Sequence, residues 1–216
     1  MKRGGAIKQP YDRVLVVCEG AKTVMNYLHE IERLASAYVR IIPSELGTDP
    51  LKIVESAIAE FERTRAFDKV FVVFDRDDHL CYANAIAKAQ AKDKKLKNDE
   101  KKPVGFEAVV SVPSFELWLL LHFHDQQVWL HRDEALDRLR QHIPGYAKGM
   151  DDTETVQRHV ILLSDSWKII PNLLSNPVVF ALRSARNAPT SAKNTIQNTA
   201  IAVPTFVSGV LTSAAA

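Results

Sequence analysis

Two apolar runs in this chain stop abruptly at carboxylates. Val14-Leu15-Val16-Val17-Cys18 ends at Glu19-Gly20, and Val70-Phe71-Val72-Val73-Phe74 ends at Asp75-Arg76-Asp77-Asp78-His79. An Asp-x-Asp pair after a buried strand sets two carboxylates on one edge of a turn, where their mutual repulsion is costly without a cation. Carboxylate oxygens suit a hard divalent ion, so Glu19, Asp75 and Asp77 are candidate ligands for Mg²⁺ or Mn²⁺. Each has a plainer reading. The Asp75–Asp78 run also suits a helix cap followed by first-turn acids favoured by the helix dipole, and Glu19 also suits a solvent-facing loop start. Glu116 is the third acidic candidate, in the first turn of an apolar segment that follows a fourth strand and faces the same rim, again a dipole-compatible position. Ser111 and Ser114 flank it and suit either a phosphate or a helix cap. Lys22-Thr23 opens a helix, where a cation beside helix N–H groups suits a phosphate; the plain alternative is a surface lysine. His79 has three readings: metal ligand, proton shuttle or structural hydrogen-bonder.

These residues need elements to carry them. Unbroken apolar runs of strand length suit strands buried on both faces, as in a parallel α/β sheet. Ligands of open α/β sheets bind just outside the carboxyl ends of the strands. The pattern predicts a strand over 13–18 and a helix over 24–37 with Leu28, Ile31, Leu34 and Ala35 on one face. A short strand follows at Tyr38–Ile42. Asp49-Pro50 reads as N-cap and first helical position of a helix carrying Ile53, Val54, Ala57, Ile58 and Phe61. After the Asp75 strand come a helix over 80–96, a strand at Phe106–Val112 and a buried helix at Phe115–Phe123. Gly20 allows a sharp turn and the close approach of a ligand. The run Lys92–Lys102 reads as a solvated loop or helix end, with a phosphate-contacting patch as the alternative. This alternation argues an α/β fold with a parallel sheet over 13–125. Residues 126–216 form a second region, mainly helical to 185, broken at Pro144-Gly145 and Asp165-Ser166, and weakly patterned from 186.

Bulk properties narrow the class. The chain has 216 residues, 46% of them hydrophobic and 25% charged, with net charge +2. That fits a globular protein and is too mild to announce nucleic-acid binding by itself. The two cysteines, Cys18 and Cys81, make no disulfide framework or zinc spacing, and Cys18 reads as a small core residue. The start, Met1-Lys2-Arg3-Gly4-Gly5, lacks the apolar region of a signal peptide. No apolar stretch reaches membrane-span length. A cytoplasmic protein is the default. Glu19-Gly20-Ala21-Lys22-Thr23 lacks the first glycine and the spacing of a Walker A loop. His122 and His124 lie two apart, which does not pair them on a helix. A phosphotransfer receiver would need a lysine after Val112, and none is there.

Jointly and in order, three segments resemble the RloB family, Toprim-like proteins of prokaryotic defence loci. They are Val16-Val-Cys-Glu19-Gly20-x-Lys22-Thr23, Val73-Phe-Asp75-Arg-Asp77-Asp78-His79 and Ser111-x-Pro-Ser114-Phe115-Glu116-Leu-Trp118-Leu-Leu-Leu-His122-Phe123. The segment Ile143-Pro-Gly-Tyr146-Ala-Lys148-Gly149 is similar to the family's Pro-Gly-Tyr-x-Lys turn. The likeness covers about residues 13–150. It implies a Toprim-like three-layer core with a mainly parallel sheet, followed by a helical C-terminal region packed on it. It also implies Mg²⁺ or Mn²⁺ held by Glu19, Asp75 and Asp77 for phosphodiester chemistry on DNA or RNA, in antiviral defence and abortive infection, and Glu116 is the candidate to complete that site. Glu19, Lys22, Asp75 and Asp77 would then be catalytic, and Lys22, Arg76, His79 and Ser114 would contact phosphate. Partners implied are nucleic acid and an ATPase encoded nearby; a homo-oligomer stays open, and no membrane is implied. The alternative is a non-catalytic sensor or regulatory subunit of that ATPase. One departure stands out: similar proteins usually carry an acid just after Lys-Thr, where this chain has Val24.

Overall fold

The computed structural model describes residues 12–20, 22–34, 38–121, 123 and 130–147. Four strands form one sheet in the order β2-β1-β3-β4, every neighbouring pair parallel: β1 Arg13–Cys18, β2 Tyr38–Pro43, β3 Lys69–Asp75 and β4 Gly105–Ser111. The helices are α1 Lys22–Leu34, α2 Pro50–Thr64, α3 Tyr82–Lys92, α4 Phe115–Leu120 and α5 Arg132–His142. The fold is α/β, as the apolar strand runs require, and its sheet with helices on both faces fits the expected Toprim-like core.

Side-chain alternation along the strands divides the interior into two layers. Val14, Val16 and Cys18 of β1, Val39 and Ile41 of β2, Phe71 and Val73 of β3 and Val109 of β4 pack on one face with Val24, Tyr27 and Leu28 of α1, with Trp118 and its neighbours in α4, and with Ala135 and Leu139 of α5. Leu15, Val17, Val70, Val72, Phe74, Phe106 and Val110 pack on the other with Ile53, Val54, Ala57 and Phe61 of α2 and Ala85 and Ala89 of α3. Central β1 and β3 are therefore buried on both sides, which is why their sequences are unbroken apolar runs.

The chain leaves β1 toward β2 with its helix on the first face, and later returns past β1 to β3 with its helix on the second. The strand order therefore reverses between β1 and β3, which makes the gap at their carboxyl ends the topological switch point where such sheets bind ligands. Glu19 and Asp75 stand on either side of that gap.

Local chemistry explains most boundaries. Asp49 caps α2 through its carboxylate, which accepts from Leu51 N at 3.0 Å and Lys52 N at 3.3 Å, with Pro50 in the first turn. Gly145, at φ 84°, turns the chain after α5. α1 begins at Lys22, two residues earlier than its periodicity suggests, and residues 35–37 lie outside the described part. α3 is shorter than the expected 80–96, because Asp93 turns away and its carboxylate accepts Phe106 N of β4 at 3.0 Å. β4 ends at Ser111 rather than Val112, where the Val112-Pro113 bond is cis. α5 packs against α4 and is the described part of the expected helical C-terminal region; the expectations for 148–216, the Asp165-Ser166 break included, lie outside the described residues.

Candidate functional site

The carboxyl rim is shaped by backbone hydrogen bonds between loops. Ser44 N donates to Cys18 O at 2.8 Å, tying the end of β2 to the end of β1. Gly20, at φ 86°, makes the turn into α1 in a conformation side chains disfavour, and a Cβ there would stand 3.3 Å from Pro43 Cβ. Asp75 pairs with Ser111 in the β3–β4 register. Beyond it, Arg76 N donates to Ser111 O at 2.9 Å and Asp77 N to Pro113 O at 3.1 Å, so the two loops hold each other. Asp77 sits at φ 37°, the left-handed region that aspartate tolerates better than most residues.

Three acids act on Asp75. Its pKa is raised well above the usual carboxylate range, first by burial, then by the charges of Glu116, Glu19 and Asp77, against one opposing hydrogen bond from Phe115 N at 3.2 Å. The residue keeps some exposed surface, but the carboxyl itself is packed round. Glu116 is buried and anchored twice: Ser114 Oγ donates to its Oε2 at 2.6 Å and Tyr146 Oη to its Oε1 at 3.3 Å. Tyr146 also bonds Thr23, so the Pro144-Gly145-Tyr146 turn ties the start of α1 to Glu116. Burial and the neighbouring Glu116 push the Tyr146 hydroxyl upward, which keeps it a neutral donor.

Asp77 Oδ1 is buried without a hydrogen bond among the described residues and faces the Arg132 guanidinium of α5 at 3.4 Å. Ser111 Oγ and Ser44 Oγ are likewise buried without a hydrogen-bond partner there. All three atoms lie at the carboxyl ends of β2, β3 and β4. Buried polar groups are nearly always paired, so three such atoms on one rim are what a water- or ion-lined site looks like with its protein atoms alone. Four carboxylates and hydroxyl oxygens are a donor set that fits a hard divalent cation.

The other expected contacts divide. Lys22 is the exposed first residue of α1. Arg76 lies with its guanidinium 5.8 Å from the Tyr82 ring centre. Ser114 is fully buried and its hydroxyl serves Glu116, which leaves it no path to a phosphate. Val24 is a core residue of the α1 face. The Lys92–Lys102 run lies at the opposite end of the strands. There Arg13 pairs with Asp68 at 3.0 Å and Asp99 at 2.8 Å, and Asn98 Nδ2 bonds Asp68 Oδ1 at 2.7 Å. At about 3.3 Å of strand per residue, the length of β3 puts that end about 20 Å from Asp75.

A second group stands on the α2–α3 side of the rim. Asp49, His79 and Cys81 are each partly buried and present ligand atoms that all lie within 4.8 Å of one another, the one such trio of His, Cys, Asp or Glu among the described residues. Cys81 Sγ donates to Asp49 Oδ2 at 2.9 Å. No three of the rim acids gather as tightly as this trio; Glu19, Asp77 and Glu116 each act electrostatically on Asp75. Asp49 and Cys81 escaped the sequence reading as site residues, because one read as a cap and the other lies more than thirty positions away in a different loop. The sequence singles out Tyr146 only as part of the Pro-Gly-Tyr turn, and Arg132 not at all, because a single sequence does not reveal which residues of α5 and the following turn reach back to the sheet. Among the described residues, no helix is long and apolar enough to cross a membrane.

Comparison with known proteins agrees with this architecture at family level. The family model described as RloB-like protein matches residues 14–209. Neither a curated protein nor a solved structure matches. The chain belongs to the RloB-like protein family.

Proposed function

We propose that this RloB-like chain is a Mg²⁺-dependent nuclease that hydrolyses phosphodiester bonds of DNA or RNA in antiviral defence, with its centre at the rim between β1 and β3. The observation that carries this reading is Asp75. It sits at the switch point, its carboxyl buried and neighboured by Glu116, Glu19 and Asp77, an arrangement whose like-charge repulsion is relieved by a proton or by a bound cation. Asp75, Asp77 and Glu116 would hold the ion, with Glu19 as a further ligand or as the base that takes the proton of the attacking water. A bound Mg²⁺ or Mn²⁺ supplies polarisation of the scissile phosphate and charge compensation on the leaving oxygen. The chain's own cations do the rest. Lys22, at the open start of α1, meets a phosphate oxygen; Arg76, braced beside Tyr82, faces charge that builds up as the bond breaks. His79 belongs to the same turn; one ring nitrogen is grouped with Asp49 and Cys81, and the other would be the one to contact the nucleic-acid backbone. Ser114 and Tyr146 orient Glu116 by hydrogen bonds. Backbone contacts of this kind carry little sequence information.

Purified protein is expected to nick plasmid DNA or cleave RNA with Mg²⁺ or Mn²⁺, and Asp75→Ala is expected to abolish the cleavage. Cleavage that survives both a chelator and Asp75→Ala overturns the reading.

Specific observations favour one rival, a regulatory subunit that works with a partner ATPase. Val24 fills a core position where the family resemblance leads to the expectation of an acid, Phe115 N already bonds Asp75, and Arg132 stands on Asp77. Calorimetry separates the two. Absence of Mg²⁺ binding at millimolar concentration, with tight association to an ATPase encoded nearby, selects the rival.

A further inference from the structure

We propose that Asp49, His79 and Cys81 form a second cation site, for a borderline-soft divalent ion of which zinc is the natural occupant, separate from the carboxylate rim. Three observations support it. The ligand atoms are gathered within 4.8 Å although they come from two loops on different parts of the sheet. Asp49 is pre-oriented: its Oδ1 is engaged by Leu51 N at 3.0 Å and Lys52 N at 3.3 Å, which leaves Oδ2 aimed at Cys81 Sγ at 2.9 Å. An outer hydrogen-bond shell that fixes a ligand's direction is the usual support of a metal site. Finally, His79 and Cys81 are partly buried while Leu80 between them is fully exposed.

The donor set decides the metal class. Imidazole, thiolate and carboxylate together are zinc ligands, whereas Mg²⁺ takes oxygen and keeps much of its water. Tetrahedral zinc, with bonds of about 2.0–2.3 Å, sets its ligand atoms about 3.3–3.8 Å apart. Small side-chain movements reach that from the observed grouping. On binding, the Cys81 thiol gives its proton to solvent, and Sγ and Oδ2 both turn to the ion in place of their mutual hydrogen bond. Three protein ligands leave the fourth position to water. The ion would pin the turn Arg76–Cys81, which also carries Asp77, to the start of α2.

The test uses the full chain stripped with a chelator and titrated with Co²⁺, whose sulfur-to-metal charge-transfer band reports a bound thiolate. One equivalent is expected to raise the band in the parent, in Cys18→Ser and in Asp75→Asn. Cys81→Ser is expected to lose it, with unchanged circular dichroism. His79→Ala and Asp49→Asn, the latter retaining a cap acceptor, are expected to weaken Co²⁺ binding roughly tenfold or more. Zn²⁺ is expected to displace Co²⁺ and to resist millimolar Mg²⁺. Absence of the band, its survival in Cys81→Ser, or displacement by Mg²⁺ overturns the proposal. Because Asp75→Asn is scored in the same assay, failure of the rim to bind Mg²⁺ and failure of this site read separately.

Discussion

Replacing Asp75 by Asn takes a charge from the most crowded point of the rim while keeping its hydrogen bond, since the amide oxygen can still accept from Phe115 N. Burial and the charges of Glu116, Glu19 and Asp77 raise the Asp75 pKa. An unfolded aspartate titrates near about 3.9. A folded value above the unfolded one means that the stabilising contribution is complete below about pH 4 and is lost as pH rises through the folded value. The loss proceeds at no more than about 1.4 kcal/mol per pH unit, the limit for one proton. Asp68, Asp99, Glu60 and Asp49 act in the opposite sense: partners lower their pKa values, so their contribution is present above the unfolded value and lost as pH falls. The parent curve mixes both signs, and the difference between parent and Asp75→Asn isolates the rim. In chelator, that difference is expected to turn against the parent as pH rises above the unfolded value of about 3.9 toward the raised folded one. Asp75→Ala is expected to lose a further ~1 kcal/mol at every pH with the Phe115 N bond. For a chain of this length, that is about 2–4 °C in Tm.

Mg²⁺ supplies the second arm. A ligand at a hundred times its Kd stabilises by about 2.7 kcal/mol, which corresponds to roughly 5–10 °C here. The parent is expected to gain a shift of that order on addition of Mg²⁺ at neutral pH, and Asp75→Asn to gain little. Chemical or thermal unfolding followed by circular dichroism reads both arms. A pH-independent difference between parent and Asp75→Asn would refute the crowding of charge around Asp75, and an equal Mg²⁺ shift in both would refute its place in the ion site.

Three further outcomes follow from the same geometry. Arg132→Ala removes the cation that faces Asp77 Oδ1 at 3.4 Å. A half-exposed pair of this kind is worth at most about 1 kcal/mol, so Mg²⁺ binding by calorimetry is expected to tighten by up to about fivefold, and weaker binding would contradict the assignment of Asp77. Tyr146→Phe takes one of the two anchors from Glu116 and is expected to lower Tm by roughly 2–4 °C, with nuclease activity falling further than stability explains. Gly20→Ala forces a side chain into φ 86° with Pro43 at 3.3 Å and is expected to destabilise by about 1–2 kcal/mol in urea unfolding; a neutral result would mean that the turn after β1 is free to relax.

Much of the fold was legible because its cues are local. A strand buried on both faces must be apolar at every position, so β1 and β3 announced both themselves and their ends. Asp49-Pro50 could be read as a helix start because a cap is a contact within three residues. The rim acids were legible as strand-end residues, and the structure brings Glu19, Asp75, Asp77 and Glu116 into one electrostatic neighbourhood. What was not legible depends on long-range return of the chain. Asp93 ends α3 early by bonding Phe106 thirteen residues on. Ser114, read as a cap or a phosphate contact, turns inward to Glu116. The lysine-rich run reads as a solvated loop or helix end, with a phosphate surface as the alternative; its own Asn98 and Asp99 fold it onto Arg13 and Asp68 at the amino ends of the strands. The pairing of Asp49 with Cys81 requires α2 and α3 to start side by side, a consequence of both helices covering the same face.

That shared face gives the turn after β3 an unusual position. Its first half is fastened to the loop after β4 through Arg76 N and Asp77 N, and Asp77 looks toward Asp75 and α5. Its second half carries His79 and Cys81 to the other side, against Asp49 at the start of α2. Six residues therefore span from a cluster of oxygen ligands to a mixed nitrogen, sulfur and oxygen cluster. Few backbone torsions separate the two ends, and Asp77 between them already occupies a left-handed conformation, at φ 37°. An ion drawn between Asp49, His79 and Cys81 would therefore be read at Asp77 through this segment, as a change in the affinity of the rim carboxylates for the Mg²⁺ proposed there.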